Sequence, residues 1–333
     1  MIEYLQALPH WLGGKRQIAG EIVGVMREEG VGPGSILLDP FMGGGSISMV
    51  AKALGYEVHA NDVSPIAEAT GHALIQNSTR KLSKPLRDMA LTGAYGEAKI
   101  PGPKELSVQK NVRLMLSRMV AAERACEDTE LRFIYRAWII KTAMSFARWG
   151  KPSTTAGIRS WDEMTPGQMK QLANTGKPLQ KAMKCADLIN GAIFDNAYEN
   201  TMSRGDAIEF IKDFQSDGTA HVLYADPPYP GAMSYEHTYR GLSRTLEPDI
   251  DTSPSAWSKK DGWRLLADVM DAAADVSLWV VSMGDKADPE AIAEMMSERK
   301  REPELRTPAH RHLNLKKYDR PVDELLLVGR RKK

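Results

Sequence analysis

Ser35-Ile36-Leu37-Leu38-Asp39-Pro40-Phe41-Met42-Gly43-Gly44-Gly45-Ser46 is the stretch on which the fold turns. Its first four residues read as a short buried strand, and the apolar positions from about Ile47 to Leu54 read as a helix. Strand, glycine-rich turn and helix in succession form the corner where open α/β sheets take a nucleotide-like ligand, because bare glycines admit it close to the backbone. An ordinary glycine-rich turn is the alternative. Two familiar versions of the corner do not fit. A phosphate-binding loop ends in Gly-Lys-Ser/Thr, which is missing. A dinucleotide fingerprint would place glycine where Ser48 stands, and Asp39 at the strand tip would repel a pyrophosphate. Asp39 suits a ligand with a cationic ammonium, such as the methionine half of S-adenosylmethionine.

The flanking residues extend this pocket. Tyr56 to Ala60 predicts a second strand ending at Asn61-Asp62. An acid at that tip can accept from both hydroxyls of a ribose, and it can also cap the helix that Ser64-Pro65 begins. On the N-terminal side, Pro9-His10-Trp11-Leu12-Gly13-Gly14-Lys15-Arg16 precedes Ile18, Ile22, Val23 and Met26 at helical spacing. Glycines before a helix let amides approach an anion, and Lys15 could hold a carboxylate or phosphate there; a plain loop-to-helix junction is the other reading.

A second strand tip carries the chemistry. Val222-Leu223-Tyr224-Ala225-Asp226-Pro227-Pro228-Tyr229 is a buried strand that stops at a stiff turn. An exocyclic amine such as adenine N6 is a poor nucleophile because its lone pair is delocalised into the ring. Acceptors that hold its hydrogens favour a more tetrahedral nitrogen. Asp226 offers a carboxylate, Pro227 a carbonyl, the two prolines fixed φ angles, and Tyr229 a ring on which a base can stack. By itself Asp-Pro-Pro is also a good turn former. Asp206, ahead of a helix from Ile208 to Phe214, can be a plain N-cap or can accept from a cofactor's adenine amino group. The loop after Tyr229, with Tyr235, His237, Tyr239 and Arg240, is long enough to close over a bound base.

Between these halves the pattern changes. Residues 78–103 contain Pro85, Gly93, Gly96, Pro101, Gly102 and Pro103 and look like an irregular linker. Helices follow at about 108–126 and 130–147, with Arg113, Arg118, Arg132, Arg136 and Lys141 expected on a solvated face. Arg148, Lys151 and Arg159, with Trp149 and Trp161, lie on a glycine-punctuated loop suited to phosphate contact and base stacking, or to a structural crossover. The chain ends with a helix at 263–275, a strand at 277–282, and two strands, 310–316 and 323–328, expected to form an antiparallel hairpin.

The chain has 333 residues, 42% hydrophobic and 26% charged, ordinary values for a folded protein. Its net charge of +1 is unevenly spread. Residues 78–200 hold 20 Lys and Arg against 12 Asp and Glu, a net of +8; the rest holds 24 against 31, a net of −7. That asymmetry suggests a basic module set into an acidic catalytic body. Cys126 and Cys185 have no partner spacing for a disulfide framework or a zinc site, so no metal is expected. No apolar run reaches membrane-spanning length and no secretory leader is legible, so a cytoplasmic location is expected.

Taken together, Trp-x-Gly-Gly-Lys (Trp11 to Lys15), Asp-Pro-Phe-x-Gly-x-Gly-Ser (Asp39 to Ser46), Asn61-Asp62, Gly205-Asp206-Ala207, Asp226 to Tyr229 and Val322-Asp323-Glu324-Leu325-Leu326 resemble the Dam-like, D12-class family of DNA adenine-N6 methyltransferases in kind and order. The resemblance covers residues 1–77 and about 201–328. The insertion lacks the asparagine- and proline-bearing loop that usually follows its helices in that family. The resemblance implies an α/β fold, a Rossmann-like seven-stranded S-adenosylmethionine-dependent methyltransferase sheet. It divides the chain into a catalytic domain, residues 1–77 and 201–333, and an inserted, mainly helical target-recognition region, residues 78–200.

By the family's pattern Trp11 and Lys15 would meet the methionine end of S-adenosylmethionine. Asp39, Phe41 and the Gly43 to Gly45 turn would hold the cofactor body, Asp62 the ribose, and Asp206 the adenine. Asp226, Pro227, Pro228 and Tyr229 would hold the target amine, with Asp226 also facing the cofactor. Double-stranded DNA is the implied partner, met by Arg148, Lys151, Arg159, Tyr235 and Arg240. The implied reaction is direct methyl transfer to a flipped-out adenine. RNA methylation by the same turn, a catalytically idle DNA-binding homologue, and a companion restriction enzyme all stay open.

Overall fold

The computed structural model describes residues 2–102, 106, 108, 110–146, 178–217, 220–228, 234–257, 262–284, 287–308 and 324–332. Its centre is a seven-stranded sheet: β1 (Ile36–Asp39), β2 (Glu57–Asn61), β3 (Thr201–Ser203), β4 (Val222–Ala225), β5 (Leu278–Gly284), β6 (Arg301–Arg306) and β7 (Glu324–Arg331). The spatial order is β3-β2-β1-β4-β5-β7-β6. The first five strands in that order are parallel, and β7 runs antiparallel between β5 and β6. Every residue of β4 and β5 is buried, which is why these strands read as continuous apolar runs: both faces are covered. This is the Rossmann-like seven-stranded methyltransferase sheet that the motif order implies.

Register places the functional edge. Leu37 pairs with Val222 and Leu38 with Leu223, so β1 and β4 end together. From β1 the chain runs outward to β2 and β3, and from β4 it runs outward the other way to β5. The crevice at the carboxyl ends of β1 and β4 is therefore the switch point of the sheet, where such folds bind ligands. Asp39 closes β1 and Asp226 follows β4 by one residue.

Helices α1 (Ile2–Leu5), α2 (Ala19–Glu28), α3 (Ser46–Ala53) and α4 (Pro65–Gly71) alternate with the first strands. The side chain of Ser64 caps α4, accepting from the Ile66 amide at 3.2 Å, with Pro65 in the first turn. Among the described residues four more α-helices lie between β2 and β3: α5 (Lys84–Thr92), α6 (Lys110–Ala125), α7 (Thr129–Phe146) and α8 (Pro178–Gly191). Their apolar residues, among them Leu116, Ile134, Trp138 and Ile189, share one core with Val58, Tyr224 and Val280 of the sheet. A second core on the opposite face joins Leu38, Leu223 and Trp279 to α9 (Ala207–Asp217), α11 (Leu265–Ala272) and α12 (Pro289–Glu298). Between α9 and α11 lies α10 (Tyr235–Leu246).

Four sequence expectations are corrected. Pro85 and Gly93, taken for linker residues, are the start and stop signals of α5: Ser83 caps it, Pro85 sits in its first turn, and Gly93 ends it in the left-handed region. The loop expected to hold Tyr235 and Arg240 is α10, whose N-cap Ser234 accepts from the His237 amide at 3.2 Å. β7 pairs with Arg301–Arg306, upstream of the 310–316 stretch expected as its partner, which lies outside the described residues. Three of the five cations expected on a solvated helix face are instead drawn into bonds with the protein, while the side chains of Arg118 and Arg132 stay 31% and 40% exposed. Arg113 donates to the carbonyls of Leu106 and Ile100 at 3.2 Å, Arg136 pairs with Glu123 at 2.7 Å, and Lys141 is buried, donating to the Leu8 carbonyl at 2.7 Å.

Candidate active site

A cavity opens at the switch point, and the separated motifs converge on it. Residues 11–15, 39–44, 62–65, 205–207, Tyr224, Asp226 and Pro228 line it, together with Tyr235, Glu236 and Tyr239 of α10 and Ile250, Asp251, Thr252, Ser255 and Trp257. Tyr229 lies outside the described residues, as do Arg148, Lys151 and Arg159. Arg240, half-buried on α10, does not line the cavity.

The glycine corner works by close approach. Gly43 has φ 51°, and a Cβ there would stand 2.7 Å from Trp11 Nε1; at Gly44 a Cβ would stand 2.6 Å from Trp11 Cβ. The indole therefore lies directly on bare backbone. Its other neighbours are Tyr239, with ring centroids 4.6 Å apart and planes 18° from parallel, and Tyr235 at 6.0 Å. Tyr239 Oη accepts from the Leu12 amide at 2.7 Å, which fixes the Trp11 loop against α10. Tyr235, predicted as a DNA contact, thus belongs to the wall of this cavity. Phe41 meets Trp257 edge-on at 4.8 Å on the far wall.

Six acids, Asp39, Asp62, Asp206, Asp226, Glu236 and Asp251, line the cavity with Lys15. Asp62 accepts from the Gly43 amide and the Ser64 amide, each at 2.8 Å, so it braces the glycine turn and the start of α4 together. Burial pushes its pKa up to about 6 in spite of those bonds. Asp39 accepts from Ser48 Oγ at 2.6 Å through one oxygen, while its other oxygen is buried with no hydrogen-bond partner. Burial pushes Asp39 up to about 7 against the Ser48 bond, and the carboxylates of Asp226 and Asp62 add to the rise. Asp206 accepts from the amides of Ile208 at 2.8 Å and Glu209 at 3.1 Å, so it does cap α9 while facing the cavity.

Lys15 Nζ lies 2.9 Å from both oxygens of Asp226, 3.3 Å from Glu324 Oε1 and 3.1 Å from the Gly13 carbonyl. Burial alone would lower its pKa, but the carboxylates of Asp226 and Glu324 outweigh that and hold the ammonium above the usual lysine range. The Asp226 side chain keeps 19% of its surface exposed, whereas Lys15 keeps 4% and Glu324 2%. Of the three, Asp226 is the group a ligand in the cavity can reach.

An acid-lined cavity with bare glycines and an orphaned buried oxygen on Asp39 fits a ligand that brings an ammonium and hydroxyls, and it does not fit a phosphate. S-adenosylmethionine has that donor set. Sequence reasoning assigned no role to Glu236, Trp257 or Glu324. Glu324 carried a usable signal, since an acid in phase with Leu326 and Val328 points to a buried face. Trp257 carried none, because it lies on an irregular segment.

Comparison with known proteins agrees with the methyltransferase sheet. Residues 11–105 match the family described as D12 class N6 adenine-specific DNA methyltransferase. No curated protein matches the chain in sequence. Solved structures similar in backbone include a precorrin-8w decarboxylase from Methanobacterium thermoautotrophicum, at 9% identity and a TM-score of 0.37, over 93% of this chain and 89% of that one. They also include an rRNA methyltransferase, AviRa, from Streptomyces viridochromogenes, at 13% identity and a TM-score of 0.34, over 94% and 83% of the two chains. The fold rests on the sheet order and not on these likenesses. The matched family and the fold imply S-adenosylmethionine as methyl donor, and the match over residues 11–105 supports the D12-class resemblance drawn from the motifs.

Proposed function

We propose that the protein methylates N6 of a specific adenine in double-stranded DNA, taking the methyl group directly from S-adenosylmethionine. The observation that carries this reading is the Asp226 carboxylate at the end of β4, accessible from an acid-lined cavity and fixed from behind by Lys15 at 2.9 Å. Bound S-adenosylmethionine supplies an already activated methyl group on its sulfonium. Asp39 is suited to its ammonium, Asp62 to its ribose and Trp11 to its methionine end. Residues 78–200 serve target recognition, with the cations of the 148–159 segment meeting phosphates.

In this reading Asp226 accepts one hydrogen of the adenine amine and the Pro227 carbonyl accepts the other, which localises the nitrogen lone pair toward the methyl group. The proline pair holds both acceptors at fixed angles, so little reorganisation is needed during transfer. The base reaches this turn by leaving the duplex stack, where the ring of Tyr229 can support it. No covalent enzyme intermediate is required, because orientation and polarisation act on a donor that needs no further activation.

The test is tritiated methyl transfer to unmethylated duplex DNA, with duplex and structured RNA in parallel. Asp226→Ala is expected to lower transfer by about 1,000-fold or more while S-adenosylmethionine affinity changes by less than about tenfold. Full activity in that variant sinks the assignment of Asp226. Transfer to RNA and not to DNA replaces the substrate.

A further inference from the structure

We propose that Arg204 is a positioning residue for S-adenosylmethionine, which holds the tip of β2 and the tip of β3 at the separation that the cofactor's nucleoside requires. The inference rests on the reading of Asp62 and Asp206 as the groups that meet its ribose and adenine.

The two acids stand on strands of unequal support. Among the described residues β3 is the last strand of the sheet, only Thr201–Ser203 long, and it pairs with β2. The ladder between them ends at Asn61 and Ser203, and the next bond, from the Asp62 amide to the Ser203 carbonyl, is stretched to 3.4 Å. Asp62, Val63, Gly205 and Asp206 all line the cavity past those last paired residues. A nucleoside is stiff and must meet both tips at once, so an error in their spacing is lost in affinity. Two side chains cross the gap. Asn61 Nδ2 donates to the Gly205 carbonyl at 3.1 Å, and Arg204 Nε donates to the Val63 carbonyl at 3.2 Å. Each tip thus holds the other's backbone.

Arg204 also ties this joint to the surrounding walls. Its Nη1 stands 3.2 Å from Glu68 Oε2 on α4 and 2.6 Å from Oε1 of Glu247, the residue that closes α10. α10 carries Tyr235, Glu236 and Tyr239 into the cavity. A carboxylate at a helix C-terminus opposes the helix dipole, and a guanidinium beside Glu247 offsets that penalty. Arg136 approaches the same Glu247 oxygen, but only to 3.8 Å. The side chains of Arg204, Glu68 and Glu247 keep 27%, 16% and 29% of their surface exposed. Ion pairs that open to solvent fasten little by themselves, whereas a planar fork joined to a carbonyl and two carboxylates on three elements sets geometry. Arg204 does not line the cavity, so it acts on a ligand through the residues it holds.

The test is calorimetric titration of the full-length protein with S-adenosylmethionine and with methylthioadenosine, which has the nucleoside and lacks the amino acid. Arg204→Ala is expected to weaken both ligands by about tenfold and to raise the S-adenosylmethionine KM by a similar factor, with kcat changed by less than about twofold. Arg204→Lys, which keeps the charge and loses the fork, should fall between the wild type and Arg204→Ala. Glu247→Gln should weaken both ligands by about threefold in the wild type and by nothing further in Arg204→Ala, because it acts through the same guanidinium. Unchanged affinity for methylthioadenosine in Arg204→Ala overturns the proposal, and so do additive losses in the double variant or a fall in kcat at saturating cofactor. Should Arg204→Ala not fold, Arg204→Lys and its double variant with Glu247→Gln carry the same comparison. A wild type that binds both ligands but transfers no methyl group to DNA or RNA brings down the adenine-methyltransferase reading, and the titrations alone then decide the role of Arg204.

Discussion

The cavity at the switch point and the helical insertion use charge in opposite ways. Around the cavity, carboxylates outnumber their cation: Asp39, Asp62, Asp206 and Asp226 face one space with Lys15. One oxygen of Asp39 is left without a partner. In the insertion, many described cations are spent on bonds to other parts of the protein. Arg80 pairs with Asp128, Arg87 with Asp187, and Arg132 and Arg136 with Glu123. Arg113 goes to backbone carbonyls and Lys141 to the Leu8 carbonyl. The cations paired with acids cancel out of the net charge of +8, and in α5 to α8 they describe how helices are fastened together. Unbalanced charge marks a place built for a ligand, and balanced charge marks a joint.

The largest expected effect tests the joint. Glu123 is buried, with its side chain only 2% exposed, and it is held by Arg136 at 2.7 Å and Arg132 at 3.6 Å. Arg136→Ala leaves that carboxylate with one distant partner and is expected to cost about 3 kcal/mol of stability in urea unfolding, near the lower end for breaking a buried pair. S-adenosylmethionine affinity measured by calorimetry should not move. Lost cofactor affinity in a variant that stays folded would mean that the insertion's ion pairs belong to the site, and the contrast would collapse.

The next effect tests the cavity wall. A Cβ on Gly44 would lie 2.6 Å from the Cβ of Trp11. Gly44→Ala must push the indole away from the glycine turn and disturb its stack with Tyr239. A strain of about 1–3 kcal/mol converts to roughly a 10- to 100-fold loss of cofactor affinity, with unfolding much less affected because the Trp11 loop can move. Wild-type affinity in this variant would show that Trp11 does not form the wall of the cofactor pocket.

How much of this was legible in the sequence follows from the same contrast. The glycine corner, the acid at each strand tip and the Asp-Pro-Pro turn were readable because each is a local device. Strand, turn residue and functional side chain lie within about a dozen positions of each other, and periodicity locates them. The insertion was misread where local signals have two meanings. Pro85 and Gly93 read as breakers in sequence but delimit α5, and Lys141 reads as solvated but is buried. Whether a lysine on a helix faces solvent depends on what packs there, in this case the carbonyl of Leu8, 133 positions away. The motif that holds Glu324 gives it no role by itself, since its partner Lys15 comes from the other end of the chain.

The smallest effect concerns Asp39, and its sign separates a ligand site from a joint. In the fold the Asp39 carboxyl is pushed up to about 7 by burial, from an ordinary 3.8. A carboxyl with a raised folded pKa binds its proton more tightly in the folded than in the unfolded chain. Folding of the ligand-free protein is therefore weakened as pH rises from about 4 to about 7, and the penalty is complete above that. A cationic ligand reverses the preference, because it needs the ionised form. S-adenosylmethionine should then bind about tenfold tighter at pH 8 than at pH 6, as the competent fraction of Asp39 rises from about a tenth to most of the population. Asp62, pushed up to about 6, adds a smaller change of the same sign. Asp39→Asn keeps an oxygen for Ser48 and removes the charge; its affinity should be weaker at pH 8 and nearly flat across the range. Without cofactor, its thermal unfolding at pH 8 should lie above that of the wild type and converge with it near pH 4. Calorimetric titration at three pH values checks the first part and scanning calorimetry the second. A flat wild-type affinity profile would mean that Asp39, like Glu123, is only a buried acid satisfied by its neighbours.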